Sequence, residues 1–593
     1  MSSKLAVSWG VVASRPEMDR SRPKLPFYFS LKQMRALLIR RPLLFATLLL
    51  LTLPTFSYAQ EEKPSVEQPQ EQQPSVEQPQ EQQPSVEQQQ EQQPSVETLK
   101  SSIFKVGKIQ LFGNTLIADE ALRPLIAPYE GREMTLEEIE KVVKLIQNYY
   151  LDEGYLLAQV YLPAQEIDSG VVEIEILEGQ IGTIKVEGNR SYTTPFITDR
   201  LWGGLPGDVF RQAPFQKSLL LLNELTDLTV EAVLKSGVTD GTADLVVKVK
   251  DRFPAHFSLD YDNFGSRNVG EHRISLLASL GNLGSNGDML SIHMFFASSP
   301  SKGDHPFSRL EYTIPVNRWG TQVAFSYSNS VVRVGGEFDI LDIRGEGIVG
   351  DISVTHPLSR TAKGGSDFLV GITGKSSKNR ILDLPETHDD LRVLNLGYKM
   401  NGLGGLTSRY LVNVNLVQGL GENFGGMDDH TLLKSPPKGD NSFVKATVYM
   451  AYIKQFTPKH LLLLRSSIQG ASETLVPMER YSVGGQGTVR GFSESEVSGD
   501  SGYMLSTELR SALFEWQQKK LLGALFLDYG RARLKNPLVD MPRSRYLTGG
   551  GFGFRLEDMW GSAQVDIGFP IGPDGNSEKR SPILYAQISI RFQ

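Results

Sequence analysis

The sequence predicts a transmembrane antiparallel β-barrel of about 16 strands, preceded by two small α/β domains of β-α-α-β-β order. Three observations carry this. An alternating strand closed by a Gly-Asn turn signal occurs twice, at Val106–Asn114 and again at Ile181–Asn189. Beyond Arg252 the chain changes to dense period-two alternation with no helical pattern. Downstream of residue 59 no stretch is long and apolar enough for a membrane helix, so a chain that enters a membrane must do so as a closed barrel, the other way to pair every backbone N–H and C=O in lipid.

The amino-terminal segments are the simplest to read. Arg35, Arg40 and Arg41 precede the apolar run Pro42–Phe56, which ends at Ser57-Tyr58-Ala59. Residues 1–59 are therefore predicted to be an export signal region cleaved after Ala59, since the run is too short for a spanning helix. Met34 stands directly before the charged stretch, so a start later than Met1 is a second expectation, checked by sequencing the mature amino terminus. From 60 to 101 the unit Pro64-Ser65-Val66-Glu67 recurs at Pro74, Pro84 and Pro94 among Gln and Glu. With almost nothing apolar to bury, this is expected to be an extended, solvated linker.

Residues 102–179 form the first predicted domain. Thr135 stands at the N-cap of a long helix with Glu138 in the capping-box position, and Ile139, Val142, Val143, Ile146, Tyr149 and Tyr150 make one apolar face. Gly154 ends it. A shorter helix is expected from about Asp119 to Ala127, and strands over Leu156–Leu162, stopped by Pro163, and Val171–Leu177. The second domain, residues 180–252, repeats this with helices near Pro195–Trp202 and Pro214–Leu225 and strands near Val230–Lys235 and Ala243–Lys250.

Residues 253–593 form the barrel. Ile274, Leu276, Ala278 and Leu280 alternate with mostly polar residues, as do Leu290, Ile292, Met294 and Phe296, and Val323, Phe325 and Tyr327. In the last strand Leu584, Ala586, Ile588, Ile590 and Phe592 face one way, and Tyr585, Gln587, Ser589 and Arg591 the other. Such a strand suits a wall with lipid outside and water inside. A soluble sandwich or propeller also alternates, but it accounts for neither the export signal nor aromatic residues near strand ends.

Three stretches of the first domain resemble the first periplasmic (POTRA) domain of the two-partner secretion transporters, the group typified by haemolysin and filamentous-haemagglutinin exporters. They are Asp152-Glu153-Gly154-Tyr155, Ala158–Gln165 and Gly170–Gly179. Val489-Arg490-Gly491-Phe492 resembles the tip motif of the long sixth loop shared with the Omp85 superfamily. Phe526-Leu527-Asp528-Tyr529-Gly530 is similar to the strand motif that holds that tip, and Asp260-Tyr261-Asp262-Asn263-Phe264-Gly265 resembles the family's first barrel strand. The likeness runs from about Phe104 to the end.

It implies an outer-membrane translocator of type Vb secretion in a Gram-negative-type bacterium. Two periplasmic POTRA domains would recognise an unfolded partner exoprotein, haemolysin- or adhesin-like, for export through the pore without ATP. Gly154, Tyr155, Val160, Leu162, Pro163 and Gln165 are the implied client-binding motif. Val489, Arg490, Gly491 and Phe492 are the implied loop tip, with Phe526, Asp528 and Gly530 as its wall partner. Asp260, Asp262, Asn263 and Gly265 mark the first strand, and Ile588, Ile590 and Phe592 the signal read by the barrel assembly machinery. Outer-membrane lipid is the remaining implied partner. The sequence departs from the family twice: the Gln/Pro repeat shows no helical pattern where members often carry a plug helix, and Phe592 is followed by Gln593.

Elementary chemistry narrows the function further. A net charge of -7 argues against a nucleic-acid partner, which needs a basic face. There is no cysteine, and the eight histidines show no ligand spacing, so no metal site is expected. Gly485-Gln486-Gly487 lacks the βαβ context of a nucleotide loop, and no Gly-x-Ser-x-Gly elbow occurs, so neither cofactor, nucleotide nor catalytic residue is predicted. An exposed edge strand would let an unfolded client dock by strand addition. If Asp528 projects inward, Arg490 in its Gly-rich stretch can form a bidentate pair with it inside the barrel. The alternative function is an Omp85-type outer-membrane assembly factor, expected to carry more than two receptor domains. A diffusion porin needs none, and a barrel enzyme needs a Ser/His/Asp group that the sequence does not supply.

Overall fold

The computed structural model describes residues 103–167, 170–298, 303–428, 431–516, 519–539, 541–572 and 581–592. The predicted export signal, the Gln/Pro linker and any plug segment within them lie outside the described residues. No helix among the described residues is long and apolar enough to cross a membrane.

The first domain comprises β1 (Ile103–Val106), β2 (Lys108–Phe112), α1 (Asp119–Ile126), β3 (Arg132–Thr135), α2 (Leu136–Asp152), β4 (Gln159–Tyr161) and β5 (Val171–Leu177). Its main sheet has the order β2-β5-β4, with β2 parallel and β4 antiparallel to β5. Helix α2 buries Ile139, Val142, Ile146 and Tyr150, the middle of the predicted apolar stripe. It ends on Gly154 at φ 89°, where the Tyr155 N–H reaches the Tyr150 carbonyl at 2.9 Å. This is a left-handed cap that glycine adopts at no steric cost. The predicted strand over Leu156–Leu162 is only three residues long. Its first part is turned away because Leu156 and Leu157 pack on the core of the second domain.

The second domain repeats the plan with β6 (Gln180–Glu187), α3 (Thr194–Thr198), α4 (Gln212–Asn223), β7 (Leu228–Ser236) and β8 (Thr242–Asp251), in sheet order β6-β8-β7. Helix α3 stops four residues short of the predicted Trp202, because the chain turns Leu201 into the core and then passes Gly203 at φ 85°. Both copies use one turn device. Gly113 and Gly188 sit at φ 85° and 92°, where a Cβ would strike the carbonyl of Ile176 or Val249. The following Asn114 and Asn189 bond the carbonyls of Ile117 and Tyr192 at 3.2 and 2.8 Å. A carboxylate at the end of the last strand, Glu178 or Asp251, accepts the next amides. The Tyr192 hydroxyl donates to the Thr226 carbonyl at 2.9 Å, and burial, helped by nearby Asp227, pushes that phenol up to about 12.

The barrel strands are β9 (Ala255–Asp262), β10 (His272–Gly281), β11 (Met289–Ser298), β12 (Asp304–Pro315), β13 (Gln322–Arg333), β14 (Arg344–Thr361), β15 (Gly364–Ile381), β16 (Leu384–Leu403), β17 (Ser408–Gly419), β18 (Val444–Thr457) and β19 (His460–Ala471). A short ribbon of β20 (Tyr481–Val483) and β21 (Val497–Gly499) interrupts them. The wall then resumes with β22 (Ser501–Trp516), β23 (Lys519–Arg533), β24 (Ser544–Asp558), β25 (Gly561–Ile571) and β26 (Ile583–Phe592). These 16 wall strands close antiparallel, β26 onto β9.

Register explains the sequence pattern. Ile274 lies opposite Phe296 and Tyr261, Leu276 opposite Met294 and Leu259, and Ile588 opposite Tyr261. Apolar residues thus meet across neighbouring strands in continuous outward rows, and the same rows cross the closing seam. One rim is marked by the second domain: Asn282 bonds the Ser191 carbonyl at 2.6 Å, and Arg360 is shared between Glu224 and Asp367.

Candidate functional site

The segment 472–500, between the eleventh and twelfth wall strands, leaves the rim opposite the second domain and folds into the barrel. Its Gly-rich stretch follows from sequence: Gly484, Gly485 and Gly491 all take positive φ, and at Gly491, φ 98°, a Cβ would strike Phe569 and Pro570. The segment carries its own apolar cluster of Val483, Val489, Phe492 and Val497, packed on Ala532 and Leu547 of the wall.

Arg490 is 1 % exposed. Its Nε and Nη2 donate to the two oxygens of Asp528 at 2.7 and 3.0 Å, the bidentate fork expected from sequence, and its backbone N–H reaches Asp528 Oδ2 at 3.2 Å. Nη1 donates to Glu508 at 2.6 Å, and the guanidinium lies 3.5 Å above the Phe526 ring. Asp528 and Phe526 alternate on β23, so both face inward. Gly530, the third residue of that motif, leaves room for Val483 and Val489, which a Cβ there would strike.

Four charged partners were not singled out from the sequence. Glu508 on β22 also accepts from Arg510 at 2.7 Å, and Arg555 on β24 donates to Asp566 on β25 at 2.6 and 3.0 Å. Three arginines thus face three carboxylates, so no net charge is left in the buried cluster. The signal was present as charged residues at lumen parity in otherwise apolar strands. Also missed were Gly549 and Gly568, where a Cβ would strike the Arg490 carbonyl and the Gly491 nitrogen; with Gly530 they form a smooth bed across β23, β24 and β25. Tyr585 on β26 completes it, accepting from the Gly491 N–H at 3.0 Å and donating to the Phe492 carbonyl at 2.7 Å. The root of the segment is fixed separately by the buried Glu479, which pairs with Lys375 and Lys445.

The first-strand motif lies at the closing seam. Asp262 accepts from Arg273 Nε at 2.7 Å and from the Phe264 N–H at 2.9 Å. Asn263 extends the seam by bonding Leu584 and Ala586 with its side chain. Gly265 touches Gly270, leaving no room for a Cβ, while Asp260 pairs in register with Ser275 and Ser589. Ile588, Ile590 and Phe592 face outward opposite Tyr261, Leu259 and Phe257, the last pair with ring centroids 5.6 Å apart.

The motif of the first domain divides in two. Gly154 and Tyr155 sit at the joint between the domains: the Gly154 carbonyl accepts from the Gln212 N–H at 3.0 Å, and Arg211 lies 5.9 Å from the Tyr155 ring. Val160, Leu162, Pro163 and Gln165 belong to the edge of the sheet. Pro163 has no N–H to continue the ladder, and the Gln165 carboxamide continues it instead, bonding both the N–H and the carbonyl of Glu173 at 2.7 Å. From the helix, Gln147 bonds the Ala158 carbonyl and the Val160 N–H, each at 2.9 Å, covering the outer edge of β4. The second domain has the same device in Asn223, which bonds the N–H and carbonyl of Val230 at 2.8 and 3.0 Å. Beyond Val230 the alternation of β7 turns the backbone of Ala232 and Leu234 to the same open side, with no strand beside it among the described residues. Among the described residues no group of side chains could hold a metal ion.

A closed barrel that pins its own sixth loop inside the lumen, with small edge-strand domains at one rim, defines an outer-membrane transporter of the Omp85 type. The family described as haemolysin secretion/activation protein ShlB/FhaC/HecB matches residues 241–556, and the ShlB-type POTRA domain matches residues 104–179; the chain belongs to this family. It is a two-partner secretion transporter of the outer membrane with its POTRA domains in the periplasm, in a family of transporters rather than enzymes. It is 24% identical over 438 residues to the heme/hemopexin transporter protein HuxB of Haemophilus influenzae, covering 72% of this chain and 76% of that one. It is 25% identical over 508 residues to the outer membrane transporter CdiB of Dickeya dadantii, covering 83% and 88%. The fold matches the solved CdiB from Escherichia coli with a TM-score of 0.71 at 21% identity, over 84% of this chain and 92% of that one.

Proposed function

We propose that this transporter receives an unfolded, haemolysin- or adhesin-like partner exoprotein by strand addition to the edges of its two POTRA domains and passes it outward through the barrel without ATP. The observation that carries this is the open backbone of Ala232 and Leu234 on β7, beside an edge whose neighbouring rung at Val230 is already held by a side chain. Backbone pairing asks little of the client's side chains, which suits a chain held unfolded. In this reading residues 102–179 and 180–252 are the two receptor domains and 253–593 the channel. The export signal is cleaved after Ala59 and residues 60–101 are a linker. Val160, Leu162, Pro163 and Gln165 shape the docking edge of the first domain, while Gly154 and Tyr155 set its angle to the second. Val489–Phe492, held by Phe526, Asp528 and Gly530, is the element that leaves its bed when the client passes. The first-strand motif holds the seam, and Ile588, Ile590 and Phe592 are the face read by the assembly machinery before that seam closes. Each exported segment folds outside and cannot slip back, which supplies the drive.

The test is deletion of residues 104–179. The barrel should still assemble, migrating as a heat-modifiable band, while secretion of a large exoprotein encoded beside this chain is lost. Unchanged secretion would refute the receptor role.

A further inference from the structure

The outward face of the barrel is not uniformly smooth. Between β13 and β16 it carries a groove of about 810 Å³, walled by Phe325, Tyr327, Ile352, Ile372 and Leu394. Its floor is made by two glycines in one cross-strand row: Tyr327 lies opposite Gly350, Gly350 opposite Gly374, and Gly374 opposite Arg392. A Cβ on Gly350 would meet nothing within 4 Å, and one on Gly374 would lie 3.7 Å from Nε of Arg392, so the Arg392 side chain covers Gly374 and leaves Gly350 open. Arg392 therefore faces lipid. It donates once, to the Leu391 carbonyl at 2.8 Å, and forms no ion pair among the described residues. Arginine has five donors, so most remain open toward the groove.

The position of this cation along the barrel matters. On the side toward the second domain the same outward row continues as Leu394, Leu396 and Tyr398, opposite Ile372, Val370 and Phe368. On the other side it continues as Asp390 and His388 on β16 and as Ser376, Lys378 and Arg380 on β15. Higher still, Arg333, Arg344 and Arg380 stand directly opposite one another on three adjacent strands. Within this row Arg344 is paired with Asp342 at 2.6 Å and lies 3.6 Å from Asp383, and Asp304 stands opposite Arg333, so the row is neutralised within the protein and the cation left toward the groove is Arg392. The groove thus opens where the outward row passes from apolar to polar and charged residues, where hydrocarbon gives way to headgroups in the leaflet facing away from the periplasm.

We infer that this groove is a binding site for a phosphorylated lipid of the outer leaflet, an acyl chain lying on the open Gly350 between Tyr327 and Ile352 and a headgroup phosphate bonded to Arg392, which covers Gly374. A planar guanidinium matches phosphate in a bidentate way, and the apolar walls match a chain. The inference is independent of how the client is recognised.

The experiment uses the full chain purified in mild detergent and supplied with a di-phosphorylated, multiply acylated glucosamine disaccharide, with lipid retention read by native mass spectrometry. Wild type should hold one lipid, and Arg392→Gln should hold it about tenfold less well, as expected for loss of charge-assisted bonds. Gly350→Val fills the groove while leaving the cation in place, at a site open enough to accept the side chain, and should also lose the lipid. If Arg392→Gln does not fold, as judged by heat-modified migration, Gly350→Val decides alone. Equal retention in the variants, equal retention of the dephosphorylated lipid, or displacement by millimolar inorganic phosphate would each overturn the proposal. The last two would mean, respectively, plain annular contact and an anion site without a lipid.

Discussion

Inside the barrel, the loop tip meets its bed through a guanidinium that is sealed from solvent and held by two carboxylates and an aromatic face. At the outer edge of β7, the second domain meets water with bare backbone at Ala232 and Leu234. The first arrangement fixes one segment in one register, because a buried charge tolerates no other partner. The second fixes almost nothing, because any extended chain can supply N–H and C=O groups. In the proposed function the two contacts serve different ends, the loop as a gate that rests in a single state and the edge as a receptor for a long, varied chain. The difference lies in what each contact costs when it is left unmade. An orphaned charge in the lumen is expensive, whereas an unpaired edge group is simply hydrated.

The largest expected effect comes from breaking the first arrangement. Arg490→Ala leaves Asp528 and Glu508 buried without their cation and should cost loop docking about 3–5 kcal/mol. Limited proteolysis within residues 484–496 of the purified barrel reads this directly, and rapid cleavage is expected. Exchanging the charges, Arg490→Asp with Asp528→Arg, should recover part of the lost secretion, although Glu508 then faces a second acid; equal loss in the single and double variants would count against direct pairing. A smaller effect should follow from Gly568→Ala, whose methyl would strike the backbone of the tip. Overpacking of this kind costs roughly 1–3 kcal/mol. Gly550→Ala, at an outward position opposite Phe569 in the same hairpin, is the control and should leave the loop protected. If both variants cleave alike, the glycine bed is not what seats the tip.

These two regions were unequally legible in the sequence. The barrel could be read because its period-two pattern recurs along most strands, and lipid enforces it on most outward residues in the membrane span. Arg490 and Asp528 could be named because their stretches resemble the loop tip and strand partner of the Omp85 superfamily, although either charge alone reads as an ordinary lumen residue. Glu508, Arg555 and Asp566 were not named, since each alone looks like any polar lumen residue; only the closure of β22 to β25 into one wall makes them neighbours. β4 and α3 were expected, but longer than they are, for a related reason. Leu156, Leu157 and Leu201 read locally as strand or helix, but each is bent away to complete an apolar core. The edge devices were the least visible, because a glutamine on a helix gives no sign that its amide will stand in for a strand.

The edges provide the two gentler tests. Proline at an outward-facing edge position removes a donor without disturbing the ladder to the inner neighbour. Ala232→Pro should therefore leave the second domain folded yet weaken client binding severalfold, by about one hydrogen bond's 0.5–1.5 kcal/mol. Titration of a client fragment against the purified transporter checks it, with Thr229→Pro, on the face paired with β8, as the variant that unfolds the domain instead. The last test converts one domain toward the other. In the first domain Gln147 holds the Ala158 carbonyl and Val160 N–H that would otherwise form an open rung like that of Ala232. Gln147→Ala should cost that domain only roughly 1 kcal/mol, since both freed groups lie at an edge that water reaches. It should raise amide exchange at Val160 and tighten client docking on the first domain. Unchanged exchange at Val160 would mean that the carboxamide does not close the edge, and the contrast between a covered and an open receptor edge would then fail on its covered side.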